Sequence, residues 1–272
     1  HCERGSEIIL GDKSHTFMYE AGGISAFGGI HSRQLKNQVD GIIKISDIQS
    51  SIRTDNVHFP KTSAITLENT HNLCNGAPLS PEYTRSVAQI AHNNNMKLHI
   101  DGARIFNASV AQDLDVAKLV IDADSVTFCL SKGLSAPVGS VICGNEEFIY
   151  HARRNRKALG GGMRQAGILA AAGIEAFDSM IDRIKIDHDN ARILAEGIHK
   201  LPDFFINLND VHTNIVYFKL DSVNGSEFVK KMAERGILFF EIGEGKFRLV
   251  THYGITSEDI EIVLKSFNEE LS

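Results

Sequence analysis

No stretch of this sequence stays apolar for the roughly 20 residues that a bilayer-spanning helix needs, so no transmembrane helix is expected. Positive charge is not in excess either: 28 Lys and Arg stand against 34 Asp and Glu, a formal net charge of −6. A mild, dispersed negative charge recruits neither nucleic acid nor an anionic membrane. Cysteine is sparse, and Cys2, Cys74, Cys129 and Cys143 include no Cys-x-x-Cys pair. Without that ligand spacing no metal site is expected. Cys129 and Cys143 fall in apolar, strand-like runs and read as reduced core residues, which suits a cytoplasmic location. Low-complexity segments, long linkers and fixed-period repeats are absent as well. The start at His1 has no basic-then-apolar layout, so it is not a secretory signal. It also has no initiator methionine and opens almost at once on a strand-like segment, so the native N-terminus is expected to lie upstream.

What is present points to an α/β protein. With 272 residues, 43% of them hydrophobic, the chain can bury a sizeable core. Short apolar runs alternate with longer segments of helical period, the signature of a mainly parallel sheet flanked by helices. Strands are expected at 7–10, 64–67, 97–100, 125–130 and 139–143. Helices are expected at 80–94, 105–111 and 115–120, and again from 146 to about 200 with an interruption at Gly160, Gly161 and Gly162. Ser80-Pro81-Glu82 supplies a helix start, and Asn93-Asn94-Asn95 a stop. In the segment 180–199, Ile181, Ile184, Ile193, Leu194 and Ile198 form a plausible buried stripe. Beyond Pro202 the pattern becomes strand, helix, strand, helix, which suits a small α+β domain. The division is therefore drawn as 1–180 for the large domain and 181–272 for the small one.

Two clusters carry chemistry. In Leu98-His99-Ile100-Asp101-Gly102-Ala103-Arg104 an aspartate ends a buried strand, which is costly unless a cation meets it. The plain alternative is an aspartate capping the next helix. In Phe128-Cys129-Leu130-Ser131-Lys132-Gly133 a lysine follows an apolar strand; it is either a snorkelling surface residue or a functional amine. One helical crossover separates the two strands, so both carboxyl ends should share the sheet edge where ligands bind in open α/β folds. Pyridoxal phosphate uses such a pair: an amine forms a Schiff base with it, and a carboxylate keeps its pyridine nitrogen protonated.

The segments LENTHN, LHIDGARIFNA, CLSKGLSAPVGSV and GGGMRQAGILAAAG resemble the low-specificity L-threonine aldolases over nearly the whole chain. Those are fold-type-I pyridoxal-phosphate enzymes of the β-eliminating lyase superfamily. The resemblance implies cleavage of L-threonine or L-allo-threonine to glycine and acetaldehyde. It leaves open another β-elimination or transamination, or a catalytically silent homologue. It makes Lys132 the cofactor lysine and Asp101 the partner of the pyridine nitrogen. Arg104 and Arg248 correspond to arginines that hold the substrate carboxylate, a task for which a bidentate guanidinium is suited. His15 corresponds to the histidine stacked on the cofactor, and His58 to one near the substrate hydroxyl. Without the family match, both read as surface or loop histidines. The run Gly160-Gly161-Gly162-Met163-Arg164 follows no strand and is not a phosphate loop. In the family this region lies near a subunit interface, so Lys157 and Arg164 are expected to reach a neighbouring chain's cofactor; more simply, they belong to a solvated helix face. His71 reads as a satisfied structural histidine. The resemblance further implies a homotetramer built from dimers. It also implies an upstream segment that grips the cofactor phosphate, without which cofactor affinity is expected to suffer.

Overall fold

The computed structural model describes residues 1–221 and 223–271. The chain begins β1 (Glu7–Gly11), α1 (His15–Met18), α2 (Gly23–Ala26), β2 (His31–Leu35), α3 (Ile45–Ser51), β3 (Thr62–Glu68) and α4 (Pro81–Asn93). It continues β4 (Lys97–Asp101), α5 (Ile105–Gln112), α6 (Val116–Val120), β5 (Ser125–Cys129), β6 (Ser140–Gly144), α7 (Glu146–Ala158), α8 (Gly167–Ser179) and α9 (Ile184–His199). The last part is β7 (Phe204–Phe205), β8 (Ile215–Leu220), α10 (Gly225–Glu234), β9 (Phe240–Gly243), β10 (Lys246–Val250) and α11 (Ser257–Leu271).

Six strands form one sheet in the order β2-β1-β3-β4-β5-β6, parallel except for β6, which runs antiparallel to β5. Its central strands bury Ile9, Ile65, Leu67, Leu98 and Ile100, as expected of a sheet covered by crossover helices. The crossover α4 starts where the sequence places it. Ser80 caps it by accepting from the Tyr83 amide, Pro81 occupies the first turn, and Thr84, Val87, Ala88 and Ala91 face the sheet. Asn95 then takes a left-handed conformation (φ 54°) that turns the chain into β4.

A second, four-stranded antiparallel sheet runs β7-β8-β10-β9. Phe204, Phe218, Phe228, Phe239, Phe247 and Phe267 pack ring on ring inside it, with Phe218 stacked on Phe247 at 5.0 Å. Helix α9 covers this core with Leu194 and Ile198, while its first residue, Ile184, joins the core of the large sheet. Ile193 does not belong to the stripe: it is 49% exposed, because it lies one helical step from Leu194 and so faces away from the core. Cys129 and Cys143 are not core residues either. β6 is an edge strand, so Cys143 is exposed and Cys129 only partly covered; all four cysteines are unpaired. Bonds tie the small sheet to the loop after β3: Tyr217 Oη donates to the Asn72 carbonyl (2.6 Å), and Thr213 Oγ1 donates to the Gly76 carbonyl (2.9 Å). These bonds seat the small sheet against the loop that follows β3. Among the described residues no helix is long and apolar enough to cross a membrane.

Candidate active site

The parallel register brings the carboxyl ends of β3, β4 and β5 side by side. Glu68 and Asp101 are register partners on β3 and β4, and Lys132 follows in the loop after β5. Gly102 makes the exit from β4 possible: its amide donates to the Thr127 carbonyl (2.8 Å), and a Cβ there would sit 2.7 Å from that oxygen. Above these strand ends lies a cavity of about 490 Å³ whose wall includes His15, Glu68, Asn72, Arg104, Lys132 and Arg248, with Phe240 and Ile242 from β9. Ligands of open α/β sheets bind at this edge.

Asp101 is not a helix cap. Helix α5 is preceded by Arg104, and the Asp101 carboxylate accepts only a 3.3 Å bond from the Ala103 amide. Burial pushes its pKa above the usual carboxylate range and neighbouring Glu68 raises it further; the Ala103 amide, Lys132 and His15 oppose the shift. Such a carboxylate gains from a cation brought to it. Lys132 is partly buried, and its amine makes no hydrogen bond among the described residues. A lysine snorkelling to solvent would be free in water instead, whereas this one borders the cavity.

The two arginines converge on one neutral group. Arg104 Nη1 and Arg248 Nη1 donate to Asn72 Oδ1 at 3.3 and 3.0 Å. Burial, then the charge of Arg248, draws the Arg104 pKa below its ordinary value. Arg248 Nε is buried without a partner. Two part-buried guanidiniums with donor capacity to spare could receive an anion, and a carboxylate would suit their fork.

His15 begins α1 at the cavity wall, with Nε2 3.0 Å from Glu20 Oε1. His58 is not brought in. It sits in an exposed turn, its amide donating to Asn56 Oδ1 at 2.9 Å, beside Val57, which is 98% exposed. That turn is held outward because Arg53 lies over the Phe59 ring (5.0 Å) and pairs with buried Glu7 (3.4 Å). Lys157, at the end of α7, and Arg164 are exposed and border no part of the cavity. His71 is buried (1% exposed) as expected of a structural histidine, but it is not satisfied: neither ring nitrogen has a hydrogen-bond partner among the described residues, and Nδ1 lies 3.8 Å from Glu68 Oε1. Its pKa is lowered to about 4, mainly by burial, so the ring is neutral. The sequence reading passed over Glu68, Asn72 and Tyr217. The signal for Glu68 was available, since it ends an apolar strand just as Asp101 does; the role of Asn72 depends on contacts between residues far apart in the chain.

These groups fit pyridoxal phosphate. Lys132 can carry the aldehyde carbon, Asp101 can meet the pyridine nitrogen, and the unsatisfied Arg248 Nε faces a need for an anion such as an amino acid's carboxylate. Strand order, site position and lysine–carboxylate pair together define a fold-type-I α/β enzyme. The sequence profile of the beta-eliminating lyase family matches residues 1–221, and the chain belongs to that family. It is 45% identical to a probable low-specificity L-threonine aldolase 2 of Arabidopsis thaliana over 275 residues, 99% of this chain and 78% of that one. It is 39% identical to a low specificity L-threonine aldolase of Escherichia coli over 260 residues, 96% of this chain and 76% of that one. The solved threonine aldolase of Leishmania major shares the fold, with a TM-score of 0.79 at 16% identity, covering 99% of this chain and 79% of that one.

Proposed function

We propose that this chain is a pyridoxal-phosphate lyase that cleaves L-threonine or L-allo-threonine to glycine and acetaldehyde. The observation that carries the reading is that Lys132 and the Arg104–Arg248 pair border one cavity at the sheet edge where β4 ends in Asp101, whose carboxylate feels the charge of Lys132. When bound, pyridoxal phosphate supplies an electron sink for the pair released at the substrate α-carbon. Asp101 would keep the proton on the pyridine nitrogen, and Lys132, whose charge it feels, would give the cofactor its covalent anchor. Arg104 and Arg248 take the substrate carboxylate, fixing the orientation of the amino acid as well as its charge. His15, with Glu20 at 3.0 Å, is the imidazole at the cavity wall that would lie against the bound cofactor and could accept the β-hydroxyl proton. The exposed position of His58 does not support that task.

We divide the chain into a large domain, 1–180, and a small one, 181–272, a division supported by the two sheets and their separate cores. We also assign α8 to a contact between copies of this chain, in a tetramer built from dimers. Ile174 and Phe177, three residues apart on one side of α8, are 63% and 39% exposed, an apolar face that a partner would cover. Exposed Lys157 and Arg164 lie in the segment that leads into α8 and would then face a neighbouring copy. Four unpaired cysteines accord with a cytoplasmic location. The test is to supply the purified chain with pyridoxal phosphate and assay acetaldehyde from threonine against pyruvate from serine. Acetaldehyde is expected. Pyruvate alone would reassign the chain to β-elimination, and neither product would mark it as silent.

A further inference from the structure

Glu68 is buried (5% exposed) in the floor of the cavity and makes no ion pair with either arginine. Its two oxygens divide their work. Oε2 accepts from the His15 backbone amide and Oε1 from the Asn72 backbone amide, each at 2.8 Å. The first bond satisfies an open N–H at the start of α1, where Ser14, the local cap residue, makes no side-chain bond. The second fixes the turn whose side chain receives both Arg104 and Arg248. Glu68 is also the register partner of Asp101. One carboxylate thus ties the start of α1 directly to the turn after β3, and through that turn's Asn72 reaches both arginines.

We propose that Glu68 is the positioning residue of this site: its two carboxylate oxygens span the His15 and Asn72 amides and so hold the imidazole and the arginine pair in register with Asp101 and Lys132. A burial this deep is costly for a carboxylate, and burial does push its pKa above the usual range. Two charge-assisted amide bonds offset that cost only while both amides stay in place. The span, rather than the charge alone, is therefore what the site uses. Shortening the side chain by one methylene withdraws the oxygens by about 1.5 Å, beyond hydrogen-bond reach of both amides. Replacing it with the amide turns one acceptor into a donor that faces a backbone N–H.

This inference rests on the reading of the cavity as an amino-acid site, and the experiment separates the two. Glu68→Asp and Glu68→Gln are compared with the unaltered full chain. In the first arm, without cofactor, hydrogen exchange is read at the His15 and Asn72 amides. Both are expected to exchange at least tenfold faster in both variants, with the thermal midpoint little changed. In the second arm, with pyridoxal phosphate, glycine is titrated through its effect on the visible spectrum. Its affinity is expected to fall roughly tenfold or more in both variants, while the visible band persists because Lys132 is untouched. Wild-type exchange and glycine affinity in Glu68→Asp would overturn the proposal, since charge without span would then suffice. Should Glu68→Gln not fold, Glu68→Asp decides alone. If the unaltered chain shows no visible band, the function proposed above fails, while the exchange arm still decides the role of Glu68.

Discussion

Asn72 offers the sharpest handle on the anion site, because its side chain and its backbone do different jobs. The side-chain oxygen accepts from Arg248 at 3.0 Å and Arg104 at 3.3 Å, whereas its amide is held by Glu68 and its carbonyl by Tyr217. Substituting the side chain leaves both backbone anchors intact, so Asn72→Ala and Asn72→Asp should fold. Asn72→Ala removes an acceptor that pre-orients two guanidiniums. A hydrogen bond to a charged group contributes about 1.5–3 kcal/mol, and the bound substrate restores part of it, so KM for threonine should rise about tenfold. Asn72→Asp places a negative charge where the substrate carboxylate must compete. Opposite charges about 4 Å apart attract by about 4 kcal/mol at an effective dielectric near 20. Even half of that figure, to allow for solvent, corresponds to a further rise of about 30-fold, since 1.4 kcal/mol is about tenfold. The assay is steady-state cleavage with pyridoxal phosphate saturating, with glycine affinity as an independent check. The reasoning is refuted if Asn72→Asp binds threonine as well as, or better than, Asn72→Ala.

Other consequences follow from the same packing. Gly41 has φ +82°, and a Cβ there would meet the His71 Cβ at 2.8 Å, whereas Gly5, at φ +86°, has open space around it. Gly41→Ala should cost about 2 kcal/mol or more in urea unfolding, and Gly5→Ala about 1, the difference being the contact with His71. His71 also makes stability depend on pH. Its folded pKa of about 4 lies below the ordinary 6.5, so between those values the unfolded chain binds a proton that the folded chain refuses. Stability is therefore full above pH 6.5 and declines as pH falls toward 4, by up to about 3 kcal/mol from this residue. His99 and His188, lowered to the same value mainly by burial, add in the same direction. His71→Gln should flatten the fall in thermal midpoint between pH 7 and pH 5; an undiminished fall would rule out its contribution. Phe218→Ala, which removes a buried ring stacked on Phe247, should destabilise the small domain by about 3–5 kcal/mol, measured by denaturant unfolding.

The sheet that frames the site was legible because its strands are short runs with buried apolar residues such as Leu98, Ile100 and Phe128 at alternate positions, and its crossover helix carries a clear cap. That is why β4, α4 and β5, and with them Asp101 and Lys132, fall where periodicity puts them. β2 was missed for the opposite reason: His31-Ser32-Arg33-Gln34-Leu35 is a polar edge strand, recognisable only by its pairing with β1. α1 and α2 span four residues each, too short for helical periodicity to register. At the site, residue type and strand position pointed to the lysine and the aspartate, and motif likeness to the arginines, all of which the fold brings to one edge of the large sheet. The pairing of Glu68 with Asp101 and the double bond to Asn72 depend on register and on contact between the two sheets, which a linear pattern does not encode. His58 shows the limit in the other direction. Its motif placed it near the substrate, while Arg53, pinned between Phe59 and Glu7, holds its turn in solvent.

Lys132 is the amine on which the proposed chemistry depends. Incubating the full chain with pyridoxal phosphate, reducing with borohydride and mapping the peptides by mass locates the covalently attached pyridoxyl group. It should be found on Lys132, in a one-to-one ratio with the chain, and Lys132→Ala should lose it together with the visible band. A label spread over exposed lysines such as Lys157, or an undiminished label in Lys132→Ala, would contradict the assignment.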